Sequence, residues 1–263
     1  MRYVIPKKSL GQHFLRSEET AARIADSLAL TSPMSVLEVG PGMGVLTRHL
    51  LDNPLVRLTC VELDKDSVSY LAEHMPQANV IHADFLKTNI DELFSGEPYA
   101  VIGNYPYNIS SQIFFKVLEH RDSIPLCCGM VQKEVAERLA AKPGSKAYGI
   151  ISVLLQAYYD IEYLFTVPPE VFDPPPKVMS AVIRMRRNAV SRLDCDETLF
   201  KTIVKTAFNQ RRKMMRGSLK ALLGNGHPLL ADNMLTMRPE QLSVQQFVEL
   251  TNKAATGNRQ LII

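Results

Sequence analysis

The feature that most constrains the fold is LEVGPGMGVLT (37–47), in which three glycines separate two apolar segments. The preceding run SVLEV suits a buried strand, and VLTRHLL after the glycines suits a helix. Glycines at a strand-to-helix junction allow a tight turn and close approach of the backbone to a ligand. The stretch therefore predicts a ligand-binding turn within an α/β domain.

Short apolar runs alternate with helical patterns along the first half of the chain. Alternation at this spacing indicates a parallel sheet with helices on both faces. Two later strands are expected on either side of a proline-rich extended connection, 168–177, because proline excludes a helix there. The strands predicted after the first are 56–63, 79–84, 99–104, 125–132, 161–167 and 178–186.

Charge and pattern change near residue 188. Residues 1–186 carry 18 basic and 21 acidic side chains, whereas residues 187–263 carry 12 basic and 6 acidic ones. The pattern after residue 188 is helical to the end, and 201–220 holds seven Lys or Arg and no acid. We therefore predict a first domain over 1–187 and a small, basic, all-α domain over 188–263, and this asymmetry favours a polyanionic partner.

Several functional classes are disfavoured by composition. No apolar run reaches the length of a membrane span, and the first residues lack the apolar stretch of a signal peptide. The four cysteines show no metal-ligand spacing, so we expect no metal site and reduced thiols in a cytoplasmic protein. Nothing in the sequence indicates an obligate interface, and we expect a monomer.

Two carboxylates follow the next strands at the spacing of an adenosine-cofactor site. Glu62 ends the second strand, about twenty residues after the glycines, where a carboxylate can accept both ribose hydroxyls. Asp84 follows the third strand and is placed to accept from an adenine amino group. The glycine spacing, E-x-G-x-G-x-G, departs from the dinucleotide fingerprint and favours S-adenosylmethionine over NAD.

A series of motifs occurs in order along the chain: KKSLGQHFL (7–15), EVGPGMGVLT (38–47), VELD (61–64), HADFL (82–86), GNYPYNIS (103–110), QKEVAERL (132–139), GSKAYG (144–149), FDPPPKVMSAVIR (172–184) and FNQRRKMMRGSL (208–219). Together these motifs resemble the small-subunit ribosomal RNA adenine dimethyltransferases. That resemblance implies a Rossmann-like class I methyltransferase fold and transfer of four methyl groups from S-adenosylmethionine to N6 of two adjacent adenosines near the 3′ end of 16S rRNA.

The resemblance also implies which residues contact the cofactor. His13 stands where many members of the family have asparagine, so we expect it to act through its backbone as much as through its ring. Tyr105 stands where the family usually has an apolar residue, and we expect it not to touch the chemistry. The implied cofactor contacts are His13, Leu15, Gly40, Glu62, Asp84 and Asn104.

GNYPYNIS suits an adenine-binding loop. The adenine amino nitrogen is a poor nucleophile because its lone pair is delocalised into the ring. The Asn104 side-chain oxygen and the Pro106 carbonyl oxygen can hold its hydrogens, and Tyr107 can stack on a flipped base. We therefore predict Asn104, Pro106 and Tyr107 as the catalytic residues, and no general base of shifted pKa is required.

Basic side chains around the C-terminal motif are expected to hold RNA phosphates. Their spacing places several on one helix face, and Lys146 lies in a second basic loop. About half of such residues are expected to be ordinary surface charge. The predicted RNA-binding residues are Arg211, Arg212, Lys213, Arg216, Lys220 and Lys146.

Three other functions share part of this pattern. A resistance-type methyltransferase of large-subunit RNA would have the same cofactor core and a similar loop. A DNA adenine methyltransferase would need a target-recognition region that 263 residues barely allow. A ribosome-assembly factor would act mainly by docking on the assembling 30S particle, and intact Glu62, Asp84 and Asn104 disfavour a loss of catalysis.

Overall fold

The computed structural model describes residues 4–257, which form nine strands, nine α-helices and short 3₁₀ helices. The strands are β1 (Phe14–Leu15), β2 (Met34–Val39), β3 (Val56–Glu62), β4 (Asn79–His82), β5 (Tyr99–Ile102), β6 (Leu126–Gln132), β7 (Tyr159–Val167), β8 (Phe172–Asp173) and β9 (Ser180–Arg187). The α-helices are α1 (Glu18–Asp26), α2 (Val45–Leu51), α3 (Lys65–His74), α4 (Ser110–Glu119), α5 (Lys133–Leu139), α6 (Ile150–Gln156), α7 (Glu197–Asn209), α8 (Met215–Leu223) and α9 (Val244–Gly257).

Seven of the strands form one sheet in the order β4-β3-β2-β5-β6-β9-β7. From β4 to β6 all neighbours are parallel, and β9 is antiparallel to β6. The parallel centre confirms the predicted Rossmann-like α/β fold. The antiparallel pairing of β9 is an addition that strand–helix alternation did not predict.

The central strand β5 is apolar along its whole length because both faces of the sheet are covered there. All four residues of β5 are fully buried. Strand β2 lies between β3 and β5, so the connections leaving β2 and β5 diverge to opposite sides of the sheet. Ligands of open α/β sheets bind at such a switch point, outside the carboxyl ends of the strands. The glycine-rich turn leaves β2 at that edge.

A second, two-stranded sheet ties the start of the chain to the proline-rich connection. β1 pairs antiparallel with β8, with Phe14 opposite Asp173 and Leu15 opposite Phe172. An ion pair between Arg16 and Asp173 lies beside it. Neither this pairing nor α1 was predicted, because a two-residue strand carries no periodic signal. Helix α1 is capped by Ser17, whose side chain accepts from the Thr20 amide at 3.1 Å.

The described residues divide into two compact units. The first comprises the chain up to Ala136 together with Asp160–Arg187, and the second comprises Glu137–Tyr159 and the chain from Asn188. The sequence prediction assigned 137–159 to the first domain, whereas the structure places this segment in the second. The reason is α6, which is buried along most of its length and packs on α7 and α9. Residues 1–3 and 258–263 of the predicted domains lie outside the described residues.

The second unit is built around α7. One face of α7 is buried, including Phe200 and Phe208, and the helix packs against α8 and α9. The Phe208 ring lies 6.3 Å from that of Tyr148 and 6.1 Å from that of Phe247. Between α8 and α9 the chain forms three 3₁₀ helices, at Pro228–Ala231, Asn233–Thr236 and Pro239–Gln241. Of the helices within residues 4–257, none is long and apolar enough to cross a membrane.

The cap of α7 provides a test of the second unit. The Asp196 side chain accepts from the amides of Thr198 and Leu199 at 2.9 and 2.8 Å. Asp196→Ala should lower the free energy of unfolding by about 1 kcal/mol, because two amides of the first turn lose their acceptor. Asp196→Asn should remain close to the parent, since asparagine also caps helices. Urea titration followed by far-UV circular dichroism checks both, and equal loss in the two variants would contradict a capping role.

Candidate active site

A cavity of about 280 Å³ opens at the carboxyl ends of β2, β3, β4 and β5, within the first unit. The N-terminal segment, residues 7–15, contributes one wall, and the loops that follow the four strands contribute the others. The structure brings together every residue predicted to bind the cofactor or act in catalysis. The predicted residues that line the cavity are His13, Leu15, Gly40, Glu62, Asp84, Asn104, Pro106 and Tyr107.

Two positions of the β2–α2 turn, 40 and 42, are occupied by glycine for different structural reasons. Gly42 has φ 58°, and a Cβ there would lie 3.0 Å from the Phe14 ring, so packing excludes a side chain. Gly40 has φ 69°, and a Cβ there would meet no protein atom within 4 Å. The space beside Gly40 is therefore open, which fits a ligand that approaches the backbone closely.

Glu62 ties the ends of β2 and β3 together. It is 5% exposed, and its two carboxylate oxygens accept from the amides of Gly42, at 3.0 Å, and Asp64, at 2.8 Å. Burial raises the pKa of this carboxyl, and the two amide hydrogen bonds oppose that rise. Each oxygen keeps a lone pair, so the fixed carboxylate can still accept from the hydroxyls of a ribose.

Asp84 lies at the end of β4 beside apolar groups. Its Oδ1 accepts from the Leu86 amide at 2.9 Å, and its Oδ2 lies 3.6 Å from Lys87 Nζ. The cavity wall next to it comes from Leu63, Phe85 and Leu86. A carboxylate at the edge of an apolar wall suits an adenine ring that presents an amino group. The polar and apolar groups present therefore fit an adenosyl cofactor.

The N-terminal segment is held over the cavity by charge and by close packing. Lys7 pairs with Asp64 and, at 2.8 Å, with Asp66. The hydrogen bond to Asp64, followed by that to Asp66, raises the pKa of Lys7 to about 12. Gly11 packs against Asn108, since a Cβ there would lie 2.5 Å from Asn108 Oδ1. The segment thus contacts both the β3–α3 turn and the loop after β5.

The loop after β5, residues 103–110, is here termed the clamp loop. The Asn104 side-chain nitrogen donates to the His13 carbonyl oxygen at 3.1 Å. With its nitrogen engaged, the amide presents its oxygen as the acceptor. The Tyr105 amide donates to the Met130 carbonyl at 3.0 Å, which joins the clamp loop to β6. The backbone of His13 therefore orients Asn104, while the predicted contact of His13 with the cofactor stays a prediction.

The Tyr107 ring is held from two sides. Its hydroxyl is hydrogen-bonded to the fully buried Ser180 hydroxyl at the start of β9. Its ring is stacked on the His13 ring, with centroids 5.4 Å apart and planes 28° apart. His13 Nδ1 lies 2.7 Å from the Pro174 carbonyl oxygen, and because a carbonyl only accepts, this nitrogen carries the hydrogen. Sequence reasoning missed Ser180, because no local signal links it to a loop 73 residues away.

Tyr105 fills a slot under the clamp loop. It is 1% exposed, and its hydroxyl donates to the Cys128 carbonyl at 2.6 Å. Glycines form the slot, since a Cβ at Gly129 would lie 2.4 Å from the Tyr105 ring and one at Gly103 would lie 3.0 Å from it. Its ring also meets the edge of Phe114, with centroids 5.7 Å apart. The side chain supports the backbone between Asn104 and Pro106.

Glu38 is a lining residue that the sequence prediction did not include. It is 1% exposed at the end of β2, and the Cys60 thiol donates to it at 3.6 Å. Burial, and to a smaller extent the neighbouring Glu62, raises the pKa of Glu38 to about 7 against the opposing effect of side-chain hydrogen bonds. The first position of the glycine motif could have indicated it, because an acidic residue in a buried strand is uncommon.

The predicted RNA-binding residues lie in the second unit, and they differ in how far they are exposed to solvent. Arg211 donates to the Ser145 carbonyl at 3.4 Å and to the Lys146 carbonyl, and it lies 3.9 Å from Glu240. It therefore holds the loop that carries Lys146. The other predicted residues are exposed: Arg212, Lys213, Arg216, Lys220 and Lys146.

Comparison with known proteins identifies the relatives of this chain. Residues 6–256 match the model of the family described as ribosomal RNA adenine dimethylase. The chain is 62% identical to the ribosomal RNA small subunit methyltransferase A of Parabacteroides distasonis, over 95% of this chain and 94% of that protein. It is 54% identical to the protein of the same name from Flavobacterium johnsoniae, over 96% and 97% of the two chains.

Two solved structures have a similar fold. A dimethyladenosine transferase from Plasmodium falciparum is 22% identical, with a TM-score of 0.78 over 94% of this chain and 98% of that one. The 23S rRNA methyltransferase ErmE is 28% identical, with a TM-score of 0.68 over 91% and 99%. Both alignments cover nearly the whole chain, so the similarity includes the second unit as well as the cofactor core.

Glu38 predicts a pH dependence of stability. Its pKa is about 7 in the folded chain against 4.5 for an ordinary glutamate, so the folded chain binds this proton more tightly. The stabilisation that comes from the protonated Glu38 carboxyl is fully present below its pKa in the unfolded chain. It is lost as pH rises through its pKa in the folded chain. Glu38→Gln should therefore gain stability relative to the parent between about pH 5 and about pH 8, by about 2–3 kcal/mol.

Urea unfolding at several pH values measures this difference. Glu73→Gln is the matched control, since Glu73 is an exposed residue on α3 of the same unit. The control should follow the parent at every pH. If the free energy of unfolding of Glu38→Gln also changes with pH in parallel with that of the parent, the raised pKa of Glu38 is contradicted.

Proposed function

The chain belongs to the ribosomal RNA adenine dimethylase family, and from that premise we propose that it methylates N6 of two adjacent adenosines near the 3′ end of small-subunit rRNA. The enzyme is an S-adenosylmethionine-dependent methyltransferase that acts on ribosomal RNA. The observation that carries the proposal is the convergence of Glu62, Asp84 and Asn104 on one cavity at the switch point of the sheet. Relatives named as small-subunit methyltransferases, 54–62% identical over almost the whole chain, support the choice of subunit.

The cofactor would be held by the ends of β2, β3 and β4. S-adenosylmethionine supplies an electrophilic methyl group on a positively charged sulfur. Glu62 is preorganised by its two amide hydrogen bonds to accept from the ribose, and Asp84 is suited to the adenine amino group. Gly40 leaves space beside the backbone, and the N-terminal segment, with His13 and Leu15, covers the cavity.

The clamp loop would hold the target adenine. Asn104 presents its side-chain oxygen, and Pro106 contributes a backbone carbonyl; both residues line the cavity. These acceptors can hold the amino hydrogens and favour a pyramidal nitrogen, whose lone pair is then available for attack on the methyl group. Transfer would form the bond between the methyl carbon and N6 as the bond between that carbon and sulfur breaks, and N6 would release one proton to solvent. Alignment and fixed acceptors account for the acceleration, because charge develops on nitrogen during transfer.

Tyr107 would stack on the flipped base. The His13 ring and the Ser180 hydroxyl already fix its position, so little side-chain freedom is lost when the base binds. Contact with an aromatic face offsets part of the cost of unstacking the base from its neighbours. The singly methylated nitrogen has one hydrogen left, so the second transfer requires one acceptor and room for a methyl group at the other.

We propose that the basic surface of the second unit binds RNA phosphates through Arg212, Lys213, Arg216, Lys220 and Lys146. Arg216 and Lys220 are four residues apart on α8, which places them on one helix face. Arg211 would act mainly by holding the loop of Lys146. This residue assignment is narrower than the sequence prediction, which included Arg211 among the candidate RNA-binding residues.

The clearest competing function is methylation of large-subunit RNA. The fold of a 23S rRNA methyltransferase covers 91% of this chain, so fold alone does not separate the two. The higher identity of the small-subunit relatives favours the small subunit. We further propose that the substrate is an assembling particle, that the enzyme acts as a monomer, and that it is cytoplasmic. Four free cysteines, three of them buried, fit a reducing compartment.

Methyl transfer from labelled S-adenosylmethionine tests the function directly. Small-subunit particles that lack the modification are compared with large-subunit particles and duplex DNA, and products are identified as nucleosides by mass. We expect N6,N6-dimethyladenosine in the small-subunit sample alone. Label in the large-subunit sample would move the protein to the other group.

Asn104→Ala is the matched variant for this assay. It should reduce transfer by about 10²-fold or more, because one acceptor for the developing charge is lost. Affinity for small-subunit particles should remain close to that of the parent. Full dimethylation at normal cofactor affinity would exclude the clamp, and particle binding by an inactive parent would instead support a docking factor.

Charge reversal tests the RNA surface. Arg212→Glu with Lys213→Glu should weaken binding to small-subunit particles by at least tenfold at moderate salt and lower the salt dependence, because phosphate contacts are lost. Cofactor affinity should not change. Arg192→Glu with Lys201→Glu, two exposed positions of the same unit, controls for net charge. Equal effects in the two pairs would mean that no local phosphate site exists there.

A further inference from the structure

Three consecutive exposed residues lie between the proline-rich connection and β9. Lys177, Val178 and Met179 are exposed, whereas Pro176 before them and Ser180 after them are buried. Val178 is 45% exposed and Met179 is 38% exposed. Single exposed hydrophobic side chains are ordinary on protein surfaces. Two in sequence, next to a lysine and on a segment fixed at both ends, form a distinct surface, here termed the rim.

The rim is fixed next to the clamp loop. Ser180, the residue after Met179, is hydrogen-bonded to the Tyr107 hydroxyl, and consecutive Cα atoms are about 3.8 Å apart. The Met179 carbonyl accepts from the Lys133 amide at 3.0 Å, which holds the backbone of the rim. Earlier in the same connection, the Pro174 carbonyl oxygen is hydrogen-bonded to the His13 ring. The cavity itself is lined by residues between Ser9 and Ile109, so the rim lies outside it.

The proposed reaction requires a place for a second base. Two adjacent adenosines are methylated, and while one base is in the clamp loop its neighbour is pulled out of its usual stack. An unstacked purine presents an apolar face next to a charged phosphate. Valine and methionine offer an apolar surface, methionine adapts its shape to what it contacts, and lysine pairs with phosphate.

We propose that Lys177, Val178 and Met179 form a subsite for the nucleotide adjacent to the target adenosine. Val178 and Met179 contact the face of the neighbouring base, and Lys177 contacts the phosphate next to it. The proposal rests on the proposed function and extends it, because it explains how one site keeps hold of a pair of adenosines.

The test removes the base and the side chains separately and together. Small subunits are reconstituted with rRNA that carries a synthetic 3′ segment with the adenosine pair intact, or with either adenosine replaced by an abasic nucleotide. The parent enzyme is compared with Val178→Ala/Met179→Ala and with Lys177→Ala. Leu222→Ala, which also trims an exposed apolar side chain, is the control.

In the parent, removing the neighbouring base should lower kcat/KM for the remaining adenosine by about tenfold, because its apolar contact with Val178 and Met179 is lost. The double variant should be about tenfold less active on intact RNA and should lose nothing further on abasic RNA. Lys177→Ala should lower kcat/KM for the intact and the abasic substrates by the same factor. Cofactor affinity of all variants should equal that of the parent, which shows that they are folded.

If removal of the base lowers kcat/KM by the same factor in the parent and in the double variant, the proposed subsite is wrong. A Leu222→Ala variant that behaves like the double variant would also overturn it. A parent that transfers no methyl group to any of these particles would instead overturn the proposed function, and the subsite with it.

Discussion

The site depends on one buried carboxylate, that of Glu62. Its two oxygens accept amides from the β2–α2 turn and from the β3–α3 turn, and so they hold the carboxyl ends of two parallel strands in fixed register. An ionisable group that is 5% exposed is costly unless it is hydrogen-bonded, and here the backbone supplies the donors. The same geometry leaves the carboxylate facing the cavity, so the structural bond and the proposed ribose contact use the same atoms.

A second constraint concerns the N-terminal segment. Lys7 of this segment pairs with Asp64 and Asp66, and Gly11 packs against Asn108. The carbonyl oxygen of His13 accepts from the Asn104 side chain. The segment therefore contacts the region proposed for the ribose and the loop proposed for the target adenine. Order in either region stabilises the segment and, through it, the other region. A cofactor and a base bound in the proposed positions would thus be linked by protein contacts as well as by the reaction.

Much of the fold could be predicted because its signals are local. Buried strands such as β5 are short apolar runs, and the glycines at 40 and 42 mark the turn that follows β2. The predicted cofactor and clamp residues all line one cavity, since the ends of parallel strands meet at one edge. Their individual roles stay predictions.

The features that could not be predicted depend on contacts between distant residues. Ser180 meets Tyr107 across 73 positions, and β1 meets β8 only once the connection before β9 has folded back. The inclusion of 137–159 in the second unit follows from how α6 packs, and no change of composition marks it. Arg211 is alike in sequence to Arg212, and only its carbonyl partners set it apart.

Tyr105 and the glycines around it restrict how this sequence can change. A side chain at Gly129 would collide with the Tyr105 ring, so that glycine cannot change while the tyrosine is present. If the tyrosine changes first to a smaller residue, the slot is left partly empty and the Cys128 carbonyl loses its donor. Removing the ring would still not admit a side chain at Gly129, because its Cβ would lie 2.6 Å from the Gly103 carbonyl oxygen. A Cβ at Gly103 would likewise lie 2.6 Å from the Val39 carbonyl oxygen, so the backbone requires both glycines whatever residue stands at position 105.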